Sequence, residues 1–225
     1  MTHALTFIIL ENGSSRRETI SIANAVIAGW TGRDRAALEA HIIELEQMGI
    51  ARPASTPIFY RVSSARLTHA NIIEVSGPDS SGEVEFALIR HAGNWYVGVG
   101  SDHTDRKAEA YNVTVSKQMC CKPLAKTLWA LDEVRDHWDS LLLRSRLEDG
   151  TIYQQGSVTA MLDPHDLLAL YDGGPVEDGT VVFGGTLAAI GGIRPSPAFS
   201  FELEDPVIGR NITHSYAMRE LPVKG

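Results

Sequence analysis

The stretch that decides the reading runs from Gly82 to Lys117. It reads Gly82-Glu83-Val84-Glu85-Phe86-Ala87-Leu88-Ile89, then Val97-Gly98-Val99-Gly100-Ser101-Asp102-His103-Thr104-Asp105-Arg106, then Val115-Ser116-Lys117. Val84, Phe86, Leu88 and Ile89 are strong β formers and follow the turn residues Ser80, Ser81 and Gly82, so the first segment predicts a strand. Residues two apart on a strand share a face, which projects Glu83 and Glu85 together at about 7 Å along the chain. Two carboxylates so placed can converge on a divalent cation that cancels their repulsion. A second β-rich run leads to a third acid, Asp102, with Lys117 beyond it. Such a set can hold a hard cation against an oxyanionic substrate. The competing reading is that alternating acids mark the wet face of a sheet. Against it, these acids sit in the least charged, most β-rich part of the chain and are followed by Asp102 and Arg106.

Working outward, several blocks resemble the fumarylacetoacetate hydrolase family, in that family's order. Glu83-Val84-Glu85-Phe86-Ala87-Leu88-Ile89 resembles its Glu-x-Glu-Leu-Ala-x-Val metal strand, and Ser101-Asp102-His103-Thr104-Asp105-Arg106 its Asn-Asp-Val-Ser-Ala-Arg turn. Lys117 stands where the family has its active-site lysine. Glu177-Asp178-Gly179-Thr180-Val181-Val182-Phe183-Gly184-Gly185-Thr186 resembles the block whose threonine lies in the substrate pocket, and His41-Ile42-Ile43-Glu44 resembles the His-x-x-Glu lid. The blocks span roughly residues 25 to 215. Two places depart from the pattern: Arg61 or Val62 stands where the family often has lysine, and Gln118-Met119-Cys120 replaces Ser-x-Asp after Lys117.

The resemblance implies an α+β, mainly β fold, the mixed β-roll of the family's C-terminal domain with a small N-terminal β/helix extension. The extension, with a β-hairpin and a candidate lid helix, is expected over residues 1–52 and the catalytic roll over 53–225. It also implies Mg²⁺ or Mn²⁺ held by Glu83, Glu85 and Asp102. The substrate expected is a small 2-oxo or 1,3-dioxo acid, processed through a metal-stabilised enolate. C–C bond hydrolysis is the favoured outcome, with decarboxylation or tautomerisation as alternatives. Lys117 would assist the developing charge, Arg106 and Thr186 would bind substrate, and His41 with Glu44 would activate water. A homodimer is expected. The rival readings are a non-catalytic small-molecule-binding protein that keeps the fold, and a metal-stabilised structural domain.

Composition sets limits. In 225 residues, 44% are hydrophobic, 21% are charged and 20 are glycine, as in a globular chain rich in turns. A net charge of −8 without a basic patch argues against a nucleic-acid partner. No apolar run is long enough to span a membrane and no secretory signal is visible, so a cytoplasmic protein is expected. Cys120 and Cys121 are neighbours, read as free thiols because a bridge between them would strain the peptide. Cys120 is read as buried packing, or as a stand-in for the family's partner of the lysine.

Local signals place the rest. Asn12-Gly13 marks a hairpin between Leu5–Leu10 and Thr19–Ile22, and Asp149-Gly150 another between 141–147 and 152–154. A helix is expected over about Arg35 to Met48, capped by Thr31 or Asp34 and stopped by Gly49. His41 and Glu44 share a face of it, either as a working pair or as an exposed one, with Glu39 and Glu46 as rival partners. A helical turn is expected at 107–112 with Tyr111 toward the core, and a short helix at 164–171 capped by Asp163. Residues 188–192 form a glycine-rich loop, either a plain turn or a place where a ligand meets backbone amides. Lys117 lies among apolar and small residues, where a charge needs a reason, although an ordinary surface lysine is the common alternative.

Overall fold

The computed structural model describes residues 2–47 and 52–224, the side chains of His41 and Leu45 excepted. The chain opens with β1 (His3–Glu11) and β2 (Ser14–Ile22), an antiparallel hairpin closed at Glu11↔Ser14. Asn12 and Gly13 take φ of 51° and 71°, the left-handed pair a two-residue hairpin turn demands. β3 (Asn24–Gly29), α1 (Arg35–Gln47) and β4 (Ile58–Val62) follow. Asp34 caps α1, its Oδ1 accepting from the N–H groups of Ala36 and Ala37 at 3.0 Å each. The stop expected at Gly49 lies outside the described residues.

Next come β5 (Leu67–Thr68), β6 (Ile72–Ser76) and β7 (Ser80–Ser81). The central hairpin joins β8 (Val84–His91) to β9 (Asn94–Ser101). Then follow β10 (Thr104–Asp105), α2 (Arg106–Tyr111), α3 (Val113–Met119) and β11 (Lys122–Pro123). β12 (Thr127–Ala130), α4 (Leu131–Val134), β13 (Leu142–Leu147) and β14 (Ile152–Ser157) lead to α5 (Pro164–Ala169). The last strands are β15 (Thr180–Thr186), β16 (Ala198–Asp205) and β17 (Arg210–Leu221).

Eight strands form one mixed sheet in the order β2-β1-β12-β9-β8-β15-β3-β4, with β1–β12 and β15–β3 parallel. A five-stranded sheet, β14-β13-β16-β17-β6, covers one face of it. Strand alternation sorts the side chains of β8 between two cores. Val84, Phe86 and Leu88 pack with Leu143, Phe201 and Tyr216 of the five-stranded sheet. Ala87 and Ile89 face the other way, onto Phe7, Ile9, Ile27 and Phe183 from strands of their own sheet. β1 and β3 lie far apart in strand order yet share this second core, so the sheet curls into a roll. Glu83 and Glu85 have the parity of Ala87 and Ile89 and are carried to the end of its inner face. That face is narrow: a Cβ on Gly100 would stand 2.6 Å from Phe183 Cε1 and 2.9 Å from the Pro123 carbonyl oxygen.

The mainly β mixed roll agrees with the sequence reading. β3 and β4, on either side of residue 52, pair from Ala25↔Val62 to Gly29↔Ile58. One detail differs: Tyr111 is 87% exposed, because α2 carries no buried residue and lies on the surface. Both cysteines are free thiols, and Cys120 is buried. No helix among the described residues is long and apolar enough to cross a membrane.

Candidate active site

The site begins where β8 and β9 meet. The Asp102 N–H donates to the Glu83 carbonyl at 2.9 Å, and the Ser101 hydroxyl accepts from the Glu83 N–H at 3.1 Å. These bonds bring Asp102 to the acids of β8. Glu83, Glu85 and Asp102 each present a carboxylate oxygen, all within 4.8 Å of one another. Asp102 is 0% and Glu85 2% exposed, which removes the solvated-face reading.

Three protein cations answer these charges. Lys122 Nζ lies 2.6 Å from Asp102 Oδ1 and donates to the His103 carbonyl at 2.7 Å. Lys117 Nζ donates to Asp102 Oδ2 and stands 5.4 Å from the centroid of the Tyr60 ring. Arg106 donates to Glu83 Oε1 at 3.1 Å, Glu109 Oε2 at 2.8 Å and Ser81 Oγ at 2.7 Å. Lys117 is therefore no surface lysine, and α3 is fixed in turn by the next residue. The Gln118 amide donates to the Arg61 carbonyl at 2.5 Å and accepts from the Ser63 N–H at 3.2 Å, clamping the helix to the edge of β4. Gln118, the departure from the family pattern, thus faces a strand edge and not the acids.

Burial and charge then set the titration of each group. Burial works against the Asp102 carboxylate, but Lys117 and Lys122 outweigh it and hold Asp102 below the usual range. Burial raises Glu85 well above the ordinary glutamate value, with the Asp102 and Glu83 charges adding to the rise. Glu83 is raised by burial and relieved by Arg106. Lys117 is raised despite burial, because Asp102, Glu83 and Glu85 all favour its ammonium form. His103 is pushed down to about 3 by burial, Lys122 and Arg106. It is neutral, with Nδ1 2.9 Å from the Tyr216 hydroxyl.

Behind the acids, β15 leaves its register with β8 between Phe183 and Thr186. The Gly185 N–H, freed by this bulge at φ 98°, donates to Glu85 Oε2 at 2.7 Å. Gln154, 1% exposed, fills the break. Its Oε1 accepts from the Val84 N–H and the Ser145 hydroxyl, and its Nε2 donates to Thr186 Oγ1 and the Leu187 carbonyl. Thr186 commits its one hydroxyl hydrogen to the Val84 carbonyl at 2.8 Å. The expected substrate donor is therefore spent on holding the acid-bearing strand. Gln154→Leu should cost about 1–3 kcal/mol by orphaning the buried Val84 N–H, with divalent-cation affinity falling in parallel. Urea unfolding and calorimetric titration check both, and unchanged cation affinity would count against this supporting role.

Elsewhere the expected residues are placed unevenly. The side chain of His41 lies outside the described residues, and Glu44 is exposed on α1. The rivals Glu39 and Glu46 both hold Arg52, through oxygens at 2.7 and 3.0 Å. α1 is tied to the site at its start: the Thr31 hydroxyl donates to the Gly184 carbonyl at 2.9 Å, next to the Gly185 that binds Glu85. A cleft of about 490 Å³ opens beside Arg106, walled by Ser80, Lys107, Ile193 and Arg194 of the loop after β15. A larger cleft of about 1030 Å³, between Arg33, Trp95, His137 and Leu168, shares no residue with the acids. Sequence reasoning missed Lys122 and Gln154. Lys122 had a usable signal, a charge between Cys121 and Pro123-Leu124-Ala125; Gln154 sits in a polar alternation with none.

The curled mixed sheet with buried acids at one end has the fold of fumarylacetoacetate hydrolase family structures. A candidate fumarylacetoacetate isomerase/hydrolase from Oleispira antarctica is 18% identical at a TM-score of 0.66, with 94% of this chain and 99% of that one covered. A yeast fumarylacetoacetate hydrolase family protein is 17% identical at 0.64, with 90% and 95% covered. A 2-keto-3-deoxy-D-arabinonate dehydratase complexed with magnesium and 2,5-dioxopentanoate is 15% identical at 0.61, with 92% and 77% covered. The sequence matches none of the curated proteins. By sequence the chain belongs to the family described as "Protein of unknown function (DUF2848)", whose model matches residues 28–216.

Proposed function

We propose that the protein is a divalent-cation-dependent enzyme that acts on a small 2-oxo or 1,3-dioxo acid, with C–C bond hydrolysis as the favoured reaction. The observation that carries this reading is the convergence of Glu83, Glu85 and Asp102, within 4.8 Å, beside a buried lysine. The donor set fits the group: three carboxylate oxygens with neither sulfur nor imidazole among them suit Mg²⁺ or Mn²⁺, and burial leaves Glu85 in want of positive charge. Bound there, such an ion supplies Lewis acidity toward the keto and carboxylate oxygens of the substrate. Glu83, Glu85 and Asp102 would hold it. Lys117 would place its ammonium against negative charge that develops on the substrate. Arg106, anchored on Glu83 and Glu109 at the wall of the cleft, would orient the acid. His41 and Glu44, three apart on α1, are proposed to take the proton of the attacking water, on a helix whose preceding segment is anchored beside the site by the Thr31–Gly184 hydrogen bond.

The experiment is turnover of acylpyruvates and of oxaloacetate by the purified chain with added Mg²⁺ or Mn²⁺. Cation-dependent turnover that chelator abolishes is expected. One observation favours a non-catalytic binder, namely that protein cations already pair with two of the three acids, Lys117 and Lys122 with Asp102 and Arg106 with Glu83. Thermal stabilisation by oxo acids without turnover would establish that alternative.

A further inference from the structure

The site holds two buried lysines on one aspartate, and they are not equivalent. Lys122 is 0% exposed, sits in β11 paired with β5, and is fixed by the His103 carbonyl as well as by Asp102 Oδ1. Lys117 extends from the seven-residue helix α3, is 6% exposed, and has the face of Tyr60 beside it. Its ammonium is held by Asp102 Oδ2 and attracted by Glu83 and Glu85, the three groups that offer ligand atoms to a single ion.

We propose that Lys122 is the permanent counter-ion of Asp102, and that Lys117 is an exchangeable occupant of the cation position, which a divalent ion displaces toward the face of Tyr60. Charge matching supports the division of roles. With Lys122 on Asp102 and Arg106 shared between Glu83 and Glu109, four carboxylates face two fixed cations, and two negative charges remain, the charge of one divalent ion. Lys117 then becomes surplus positive charge. An aromatic face is a favourable resting place for an ammonium group, and this one adjoins the site. Asp102 Oδ1 lies against Lys122 and Oδ2 against Lys117, so Oδ2 is the oxygen that a departing Lys117 would free. Arriving cation and departing lysine are thereby linked, because the ion's affinity is reduced by the cost of displacing Lys117.

The inference rests on the reading of the acids as a cation site, and its test separates the two. Calorimetric titration of the full chain with Mg²⁺ and Mn²⁺ compares wild type with Lys117→Met. The variant should bind on the order of tenfold tighter, because the competitor is gone. A nearby positive charge that never leaves would also weaken binding, so NMR of the lysine side chains in wild type supplies the second measurement. On saturation with Mg²⁺, the Lys117 ammonium resonance should shift while that of Lys122 stays. Equal or weaker binding by the variant overturns the inference alone, as does an unmoved Lys117 resonance or a Lys122 resonance that moves equally. Binding by neither protein overturns both the inference and the cation-site reading. Should Lys117→Met fail to fold, the wild-type spectra decide.

Discussion

Lys117→Met should lower kcat by on the order of 10²- to 10⁴-fold on any oxo acid that the wild type turns over, with a much smaller change in KM. An ammonium group that touches the reacting part of the substrate gains most when negative charge develops there, so its loss appears in the transition state more than in the bound substrate. With the divalent cation bound, stability should change little, because Asp102 keeps Lys122 and the ion supplies the positive charge that Lys117 gave Glu85. With the cation bound, the thermal midpoint should move by no more than a few degrees. Steady-state kinetics and a thermal melt on the same preparation give both numbers. An unchanged kcat removes Lys117 from the chemistry, whereas a collapsed melting transition assigns it to the fold.

Glu85→Gln should lower divalent-cation affinity by about 100-fold or more and remove the stabilisation that Mg²⁺ gives the wild type. The same change should make the metal-free protein more stable at neutral pH, and the sign follows from the titration. Burial and the neighbouring acids raise Glu85 above its unfolded value. Its contribution is therefore fully present below the ordinary glutamate range and is lost as pH rises through the folded value. Glutamine, neutral throughout, does not incur that loss. Asp102 runs the other way: held low by its lysines, it contributes above the ordinary aspartate value and loses that as pH falls toward its folded one. Metal-free wild type is thus weakened from both sides, and the variant from the acid side alone. Urea midpoints from pH 5 to 8 in chelator should diverge as pH rises, with the variant ahead; curves that stay parallel would contradict the assignment.

Much of this was legible because the signals were local. Asn12-Gly13 and Asp149-Gly150 named their hairpins, and Glu-x-Glu on a strand fixed a shared face before any partner was known. What was illegible lies in contacts between distant parts of the chain. Gln154 bonds to Val84 and Thr186, neither of which marks it in its own strand. Thr186 offers the same hydroxyl to a substrate or to a backbone carbonyl, and only the bulge of β15 decides for Val84. Tyr111 read as core because aromatic residues usually are, while α2 presents no face to bury.

The order of assembly follows from the parallel pairs. β8 and β9 can zip as a local hairpin, but β9 is flanked by β12, which meets β1 at Leu10↔Trp129. β8 is flanked by β15, which meets β3 at Thr180↔Asn24. Loops this long make for slow closure, so the roll is expected to be a late event of folding. Asp102, Lys117 and Lys122 lie close in sequence and can pair while the chain emerges from the ribosome, whereas the Gly185 amide reaches Glu85 a hundred residues later. Until β15 arrives, Glu85 stands open to water, so its desolvation belongs to the closing step of the roll rather than to the local hairpin.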